Sequence, residues 1–215
     1  MKIEGCPFPE EFLYSHDGTL WFSHAASGLK IGLSSLFVWS FGRVNTVRFR
    51  EIGSKVGRGK SLGWIEGPTN FNSVRIEFDC RVVEYNKKLL EEPSLLNKAY
   101  YGEGWFAIVV PEGEYRLFEA PEIEKEIFSK IKELRVICFS AFPDIEMYEI
   151  GVECSAVLTK LNDTLSSYPQ GTVIHIVSDD PAADIEMERW SISTGNKILE
   201  KRIEDGLMHF LVGKV

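Results

Sequence analysis

Short apolar–polar alternations fill the first half of the chain, and glycines interrupt them at close spacing. Residues 20–22, 30–33, 43–50 and 61–66 predict short strands. Residues 74–85 alternate over a longer distance and predict one long strand or a bent pair of strands. Strands of this length with closely spaced turn signals are typical of a small barrel or sandwich.

Helical spacing appears in the middle of the chain. Residues 87–90 predict a short helix, and residues 121–134 predict a longer one with acidic residues early and lysines late, which suits the helix dipole. Residues 135–139 are apolar and predict a strand.

The remaining pattern predicts the order β-α-β-α-β-β. The strands are expected at 147–150, 172–177, 198–203 and 207–212, with a first helix at 155–165. Asp179, Asp180 and Pro181 predict the start of the second helix, with the aspartate as N-cap and the proline at the first helical position. The fold class is therefore mixed β and α/β, the second part being a two-layer sandwich with both helices on one face. The expected domains are residues 1–134 and 146–215, joined by a linker at 135–145.

Charge separates the two halves. Residues 1–110 carry 13 Lys+Arg and 12 Asp+Glu, whereas residues 111–215 carry 11 and 20. An acidic second half would repel phosphates, so nucleic acid is not an expected partner. No apolar run reaches membrane-spanning length and no leader is evident, so neither a membrane partner nor export is expected, and the predicted location is cytoplasmic.

Cysteine and histidine are dispersed, which predicts no metal site. The four cysteines are expected to be free thiols, with Cys80 and Cys138 as core residues. The sequence Cys6-Pro7-Phe8-Pro9 lacks a following helix, so no functional role is assigned to it.

Landmarks over residues 16–105 resemble the H protein of the glycine cleavage system. They are Trp21, Ile31-Gly32-Leu33-Ser34, Gly42, Gly53, Gly59-Lys60-Ser61 and Tyr101-Gly102-Glu103-Gly104-Trp105. The resemblance implies a lipoyl-type barrel-sandwich hybrid with a C-terminal helix, and a hairpin whose Glu-Ser-x-Lys turn carries lipoate on the lysine. At those positions this chain has Glu66, Gly67, Pro68 and Thr69. Thr69 cannot form the lipoyl amide, and no lysine lies between Lys60 and Lys87. No cofactor is therefore expected.

Residues 147–215 resemble the small TusA or SirA-like sulphur carriers. The resemblance rests on Gly151-Val152-Glu153-Cys154, on residues 178–185 and on Thr194-Gly195. It implies that Cys154 corresponds to a persulphide-carrying cysteine, although the prolines of the Cys-Pro-x-Pro motif are Ser155 and Val157 here. A thiol at a helix start is expected to have a lowered pKa, whereas the nearby acidic residues act in the opposite direction. A buried structural cysteine is the alternative interpretation.

These resemblances lead to three hypotheses, none of which is an enzyme. The first is a non-lipoylated carrier or interaction protein that passes sulphur on Cys154 between sulphurtransferase or lipoyl-dependent partner proteins. The second is a scaffold or regulator in which neither half carries a group. The third is a glycine cleavage H protein, which would need the missing lysine.

Overall fold

Antiparallel strands dominate the first part of the computed structural model, which describes residues 1–215. The chain divides into two units, Met1–Cys138 and Phe139–Val215. No helix is long and apolar enough to cross a membrane.

The first unit contains eleven strands, four helices and one turn of 3₁₀ helix. The strands are β1 (Lys2–Ile3), β2 (Cys6–Pro7), β3 (Leu13–Tyr14), β4 (Leu20–Ala25), β5 (Gly28–Leu33), β6 (Thr46–Phe49), β7 (Lys55–Val56), β8 (Ser61–Glu66), β9 (Phe71–Arg75), β10 (Cys80–Tyr85) and β11 (Trp105–Pro111). The helices are α1 (Ser35–Phe41), α2 (Lys88–Glu91), α3 (Leu95–Lys98) and α4 (Glu124–Leu134), and the 3₁₀ turn is Ala120–Ile123. They form an antiparallel six-stranded sheet β3-β4-β5-β11-β10-β7, a three-stranded sheet β6-β8-β9 and the small hairpin β1-β2.

Trp21 explains why a glycine is required on the neighbouring strand. Trp21 of β4 lies opposite Gly32 of β5, and a Cβ atom at Gly32 would lie 2.2 Å from the Trp21 ring. The indole Nε1 donates a hydrogen bond to the Tyr100 carbonyl at 2.8 Å. The side chain is 1% exposed, so these contacts tie the sheet to the segment before β11.

Helix α4 closes the core of the first unit. Ile127 and Ile131 are buried together with Trp21 and the β1-β2 hairpin. The helix ends at Arg135, which adopts a left-handed conformation. Residues 135–144 form no strand, so the prediction of a strand at residues 135–139 is wrong. Val136 and Cys138 are apolar because they pack into this core, not because they belong to a sheet.

The second unit has six elements in the order that the sequence predicts. They are β12 (Ile145–Glu149), α5 (Cys154–Ser166), β13 (Val173–Ser178), α6 (Ala183–Thr194), β14 (Lys197–Glu204) and β15 (Leu207–Gly213). The sheet order is β12-β13-β15-β14, with β12 and β13 parallel and the other pairs antiparallel. Alternate residues of β13 and β15 pack with apolar residues of both helices in one core cluster.

The start of α6 differs from the prediction. The helix begins at Ala183 with Ala182 as its N-cap, so Asp180 is not the cap and Pro181 lies in the preceding turn. The Asp180 carboxylate instead accepts hydrogen bonds from the Ala182 and Cys154 amides, at 2.8 and 2.7 Å. One aspartate thus holds the turn before α6 and the first amide of α5.

Candidate functional site

The turn between β8 and β9 is an exposed hairpin tip held from its base. Glu66 pairs with Phe71 across the last rung of the ladder, and the Gly67 amide donates to the Asn70 carbonyl at 2.9 Å. The Asn70 side-chain amide donates to the Phe41 carbonyl. A Cβ atom on Gly67 would lie 2.7 Å from the Arg43 backbone carbonyl oxygen, which cannot move aside as a side chain could, so this position favours glycine. The turn therefore has one defined shape.

Thr69 lies at this tip with its side chain exposed. Its hydroxyl is the only nucleophilic side chain among residues 67–70, and it is not an amine. Lys60 precedes β8, and a six-residue strand spans roughly 20 Å, so Lys60 is at the opposite end of the strand from the tip. The tip therefore has no side-chain amine that could form an amide with lipoate.

Glu66 is the second residue predicted for this site. It ends β8, and its carboxylate lies 3.9 Å from Arg48 Nε on β6, with the Arg48 side chain largely exposed and that of Glu66 partly exposed. A solvated pair at this distance contributes little to stability. A role of Glu66 in cofactor binding stays a prediction.

A cavity of about 880 Å³ adjoins the outer strand of this hairpin. Asn72, Ser73 and Arg75 of β9 contribute to its wall, as do His16 and Phe37. The lining mixes apolar and charged side chains. No cluster of three or more His, Cys, Asp or Glu side chains in the chain is arranged to bind a metal ion.

Cys154 is the first residue of α5, as expected, but its thiol is buried. The residue is 4% exposed and packs with Val157, Leu161 and Met187. Burial raises the pKa of the Cys154 thiol, and the Asp180 and Glu186 carboxylates raise this pKa further. The lowering expected from the helix start is therefore outweighed, while the opposite effect expected from nearby acidic residues agrees with this direction. The positive end of the helix is engaged by Asp180, whose own pKa is lowered by the Ala182 and Cys154 amides.

Replacing Asp180 with asparagine should make the Cys154 thiol more reactive. The Asp180→Asn change removes the nearest negative charge that opposes the thiolate, so the thiol pKa should fall. At pH 8 we expect iodoacetamide to modify Cys154 about threefold faster or more, because a lower thiol pKa increases the fraction of the reactive thiolate. Peptide mass spectrometry measures the rate, with Asp163→Asn on the same helix as control. Equal rates in both variants would show that burial alone controls the thiol.

Cys6 and Cys138 form a disulfide, with a Cα–Cα distance of 5.0 Å. The prediction of four free thiols is therefore wrong for these two residues, and only Cys80 and Cys154 are free. Nothing in the sequence indicated the pair, because the two cysteines are 132 positions apart. Disulfides are favoured in oxidising compartments and in proteins of hyperthermophiles. The cytoplasmic location stays a prediction.

Two histidines for which the sequence predicted no role are hydrogen-bonded to each other in the second unit. His175 on β13 and His209 on β15 are buried and joined by a hydrogen bond of 3.0 Å. Neither was singled out, because the pairing depends on strand register and not on sequence spacing.

The first unit, with its two larger sheets and exposed hairpin tip, is a β-rich domain of the multi-sheet class. Residues 12–130 match the family described as "Glycine cleavage H-protein", which is more than half of the chain. The chain belongs to this family.

Curated relatives agree over the same part of the chain. The "Glycine cleavage system H protein 2" of Aquifex aeolicus (strain VF5) is 28% identical over 133 residues, covering 61% of this chain and 83% of that protein. The "Glycine cleavage system H protein 5" of the same organism is 32% identical over 114 residues, covering 51% and 77%. Among solved structures, a glycine cleavage system H protein from Mycobacterium marinum aligns with a TM-score of 0.49 and 25% identity, over 55% of this chain and 98% of that one. The family match ends before the second unit begins.

Proposed function

We propose that this chain is a non-lipoylated member of the H-protein family that acts as an interaction protein for lipoyl-dependent partners. The observation that carries the proposal is the hairpin tip, where the exposed side chain is Thr69 and no lysine lies within residues 61–86. The tip keeps a defined turn, so the surface that a partner would contact is retained without the group that would be transferred. The role is accessory and does not involve turnover.

A glycine cleavage shuttle is less well supported. Such a protein needs an amine that holds lipoate as a stable amide, and a threonine hydroxyl offers only a hydrolysable ester. Membership of the family fixes the ancestry of the unit but does not supply this amine.

Sulphur relay through Cys154 is also less well supported. We propose that the second unit is a TusA or SirA-like domain, on the basis of its element order and the residues that carry that resemblance. Persulphide transfer requires an accessible thiolate, whereas this thiol is buried and has a raised pKa. A scaffold role for the second unit suits these properties better.

Intact mass and binding measurements test the proposal together. The chain is produced with a lipoate–protein ligase and lipoate, and we expect a single unmodified mass. It is then titrated with an aminomethyltransferase in competition with a lipoylated H protein, and we expect it to displace that protein. A lipoyl adduct on any lysine of the first unit would refute the non-lipoylated role, and absence of competition would refute the shared partner.

A further inference from the structure

Two buried histidines lie side by side on the sheet of the second unit. His209 is opposite Val177, and His175 is opposite Leu211, so the histidines are diagonal neighbours on one face. They are 5% and 7% exposed, their rings are stacked with centroids 5.2 Å apart, and His175 Nε2 lies 3.0 Å from His209 Nδ1. The proposed function makes no use of this pair.

Phe139, the first residue of the unit, packs against both imidazoles. Its ring centroid lies 4.7 Å from that of His175 and 6.0 Å from that of His209. The next amide, Ser140, donates to the Glu200 carboxylate at 2.7 Å. Phe139 is therefore held against this face by the two histidines, and Ser140 is held by the Glu200 carboxylate on β14.

Charged and titratable groups reach the pair from both neighbouring strands. On β12, the Glu146 carboxylate lies 3.7 Å from His175 Nδ1, and the Tyr148 ring lies 6.2 Å from His175. On β14, the Arg202 guanidinium lies 5.2 Å from the Phe139 ring and pairs with Glu200. Asp205, in the turn after β14, acts on His209 in the direction opposite to Arg202.

Proton accounting shows how many protons the pair can hold. Glu146 favours the hydrogen on His175 Nδ1, which leaves His175 Nε2 to accept the hydrogen of His209 Nδ1. One added proton can go to His209 Nε2 without breaking that bond. A second would have to go to His175 Nε2, where two N–H groups would face each other across 3.0 Å, so the rings would have to separate.

We propose that the His175–His209 pair is a proton-operated latch that holds the first residues of the second unit on its sheet at neutral pH and releases them on acidification. Separation of the rings removes the surface on which Phe139 packs. Loss of Phe139 packing loosens the residues between Phe139 and Asp144, where Ser140 keeps its hydrogen bond to Glu200, whereas Asp144 stays bonded to Val173.

The direction of the pH response follows from the environment of His209. Burial lowers its pKa, and His175 and Arg202 lower it further. An unfolded histidine titrates near pH 6.5, so below that pH the unfolded or released state binds more protons than the latched state. The latch is therefore stable above about pH 6.5 and weakens as the pH falls.

The His209→Asn variant tests the latch, because an asparagine amide nitrogen occupies nearly the position of His Nδ1 and donates the same bond without titrating. Hydrogen exchange of peptides covering residues 139–146 is measured at pH 7.5 and 5.5, corrected for the intrinsic pH dependence. We expect an acid-induced increase of roughly fivefold or more in the unaltered chain, and no increase in His209→Asn. His24→Asn, at an exposed histidine, is the control and should respond like the unaltered chain.

A second measurement keeps the test independent of how well the variant folds. NMR titration of the unaltered chain should show His209 taking up its proton below the ordinary histidine pKa of about 6.5, with the His175 resonances shifting over the same pH range because the two rings are hydrogen-bonded. Two independent titrations near the ordinary histidine pKa would overturn the proposal. An unchanged exchange rate at pH 5.5, or an equal increase in His209→Asn, would also overturn it.

Discussion

The Thr69→Lys variant should become lipoylated on most molecules when it is produced with a lipoate–protein ligase and lipoate, whereas the unaltered chain stays unmodified. The lipoylated fraction should rise from undetectable in the unaltered chain to most molecules in Thr69→Lys. The reason is that the hairpin already has a defined and exposed turn and lacks only an amine. Gly67 and Asn70 hold that turn independently of the side chain at position 69. Intact mass spectrometry measures the modified fraction.

Two comparisons make the result specific. Thr69→Arg introduces a similar charge but no acylable amine, so it should remain unmodified. Peptide mapping of Thr69→Lys should place the adduct at position 69 and not at Lys60. If Thr69→Lys is folded but unmodified, the tip does not correspond to the lipoyl position of the family, and the basis of the proposed function fails.

Opening the Cys6–Cys138 disulfide should lower the free energy of unfolding of the first unit by about 4–5 kcal/mol, from the entropy of a closed loop of more than 100 residues. The closed segment is long, since the two cysteines are 132 residues apart. Both cysteines are fully buried in the core that contains Ile127 and Ile131. With an ordinary urea dependence, the unfolding midpoint should fall by about 2 M.

Urea titration followed by tryptophan fluorescence measures this change, with and without a phosphine reductant. The Cys6→Ala, Cys138→Ala double variant should unfold near the midpoint of the reduced chain and should not respond to the reductant. Equal midpoints for the oxidised and reduced chains would show that the disulfide does not constrain the first unit.

The second unit was the more predictable part of the fold. Its helices repeat apolar residues at helical spacing, as in Val157, Leu161 and Leu165, and its hairpin turns at Asp205-Gly206. Local pattern and turn chemistry agree there, so the element order follows from the sequence. In the first unit, β8 has the predicted bounds, and the stretch 74–85 contains the end of β9 and all of β10.

The failures have a common physical origin in tertiary contacts. Residues 135–139 look like a strand, but Cys138 is apolar because it joins Cys6 inside a core. Helix α1 was not predicted, because its seven residues include a Trp and two Phe. A short apolar run with these aromatic residues is equally compatible with a strand. At Cys154 the helix start was predictable, but burial raises the pKa of the thiol, and the Asp180 carboxylate, 26 residues away in sequence, raises it further. The His175–His209 pair likewise depends on sheet register.

A covalent link between residues 6 and 138 closes this part of the first unit into a macrocycle, and the second unit follows outside the ring. A single protease cut at the hairpin tip would therefore leave one molecule, whose two pieces separate on a gel only after reduction. Within the ring, the backbone can be opened at the hairpin tip without dividing the molecule, because the disulfide still connects the two parts.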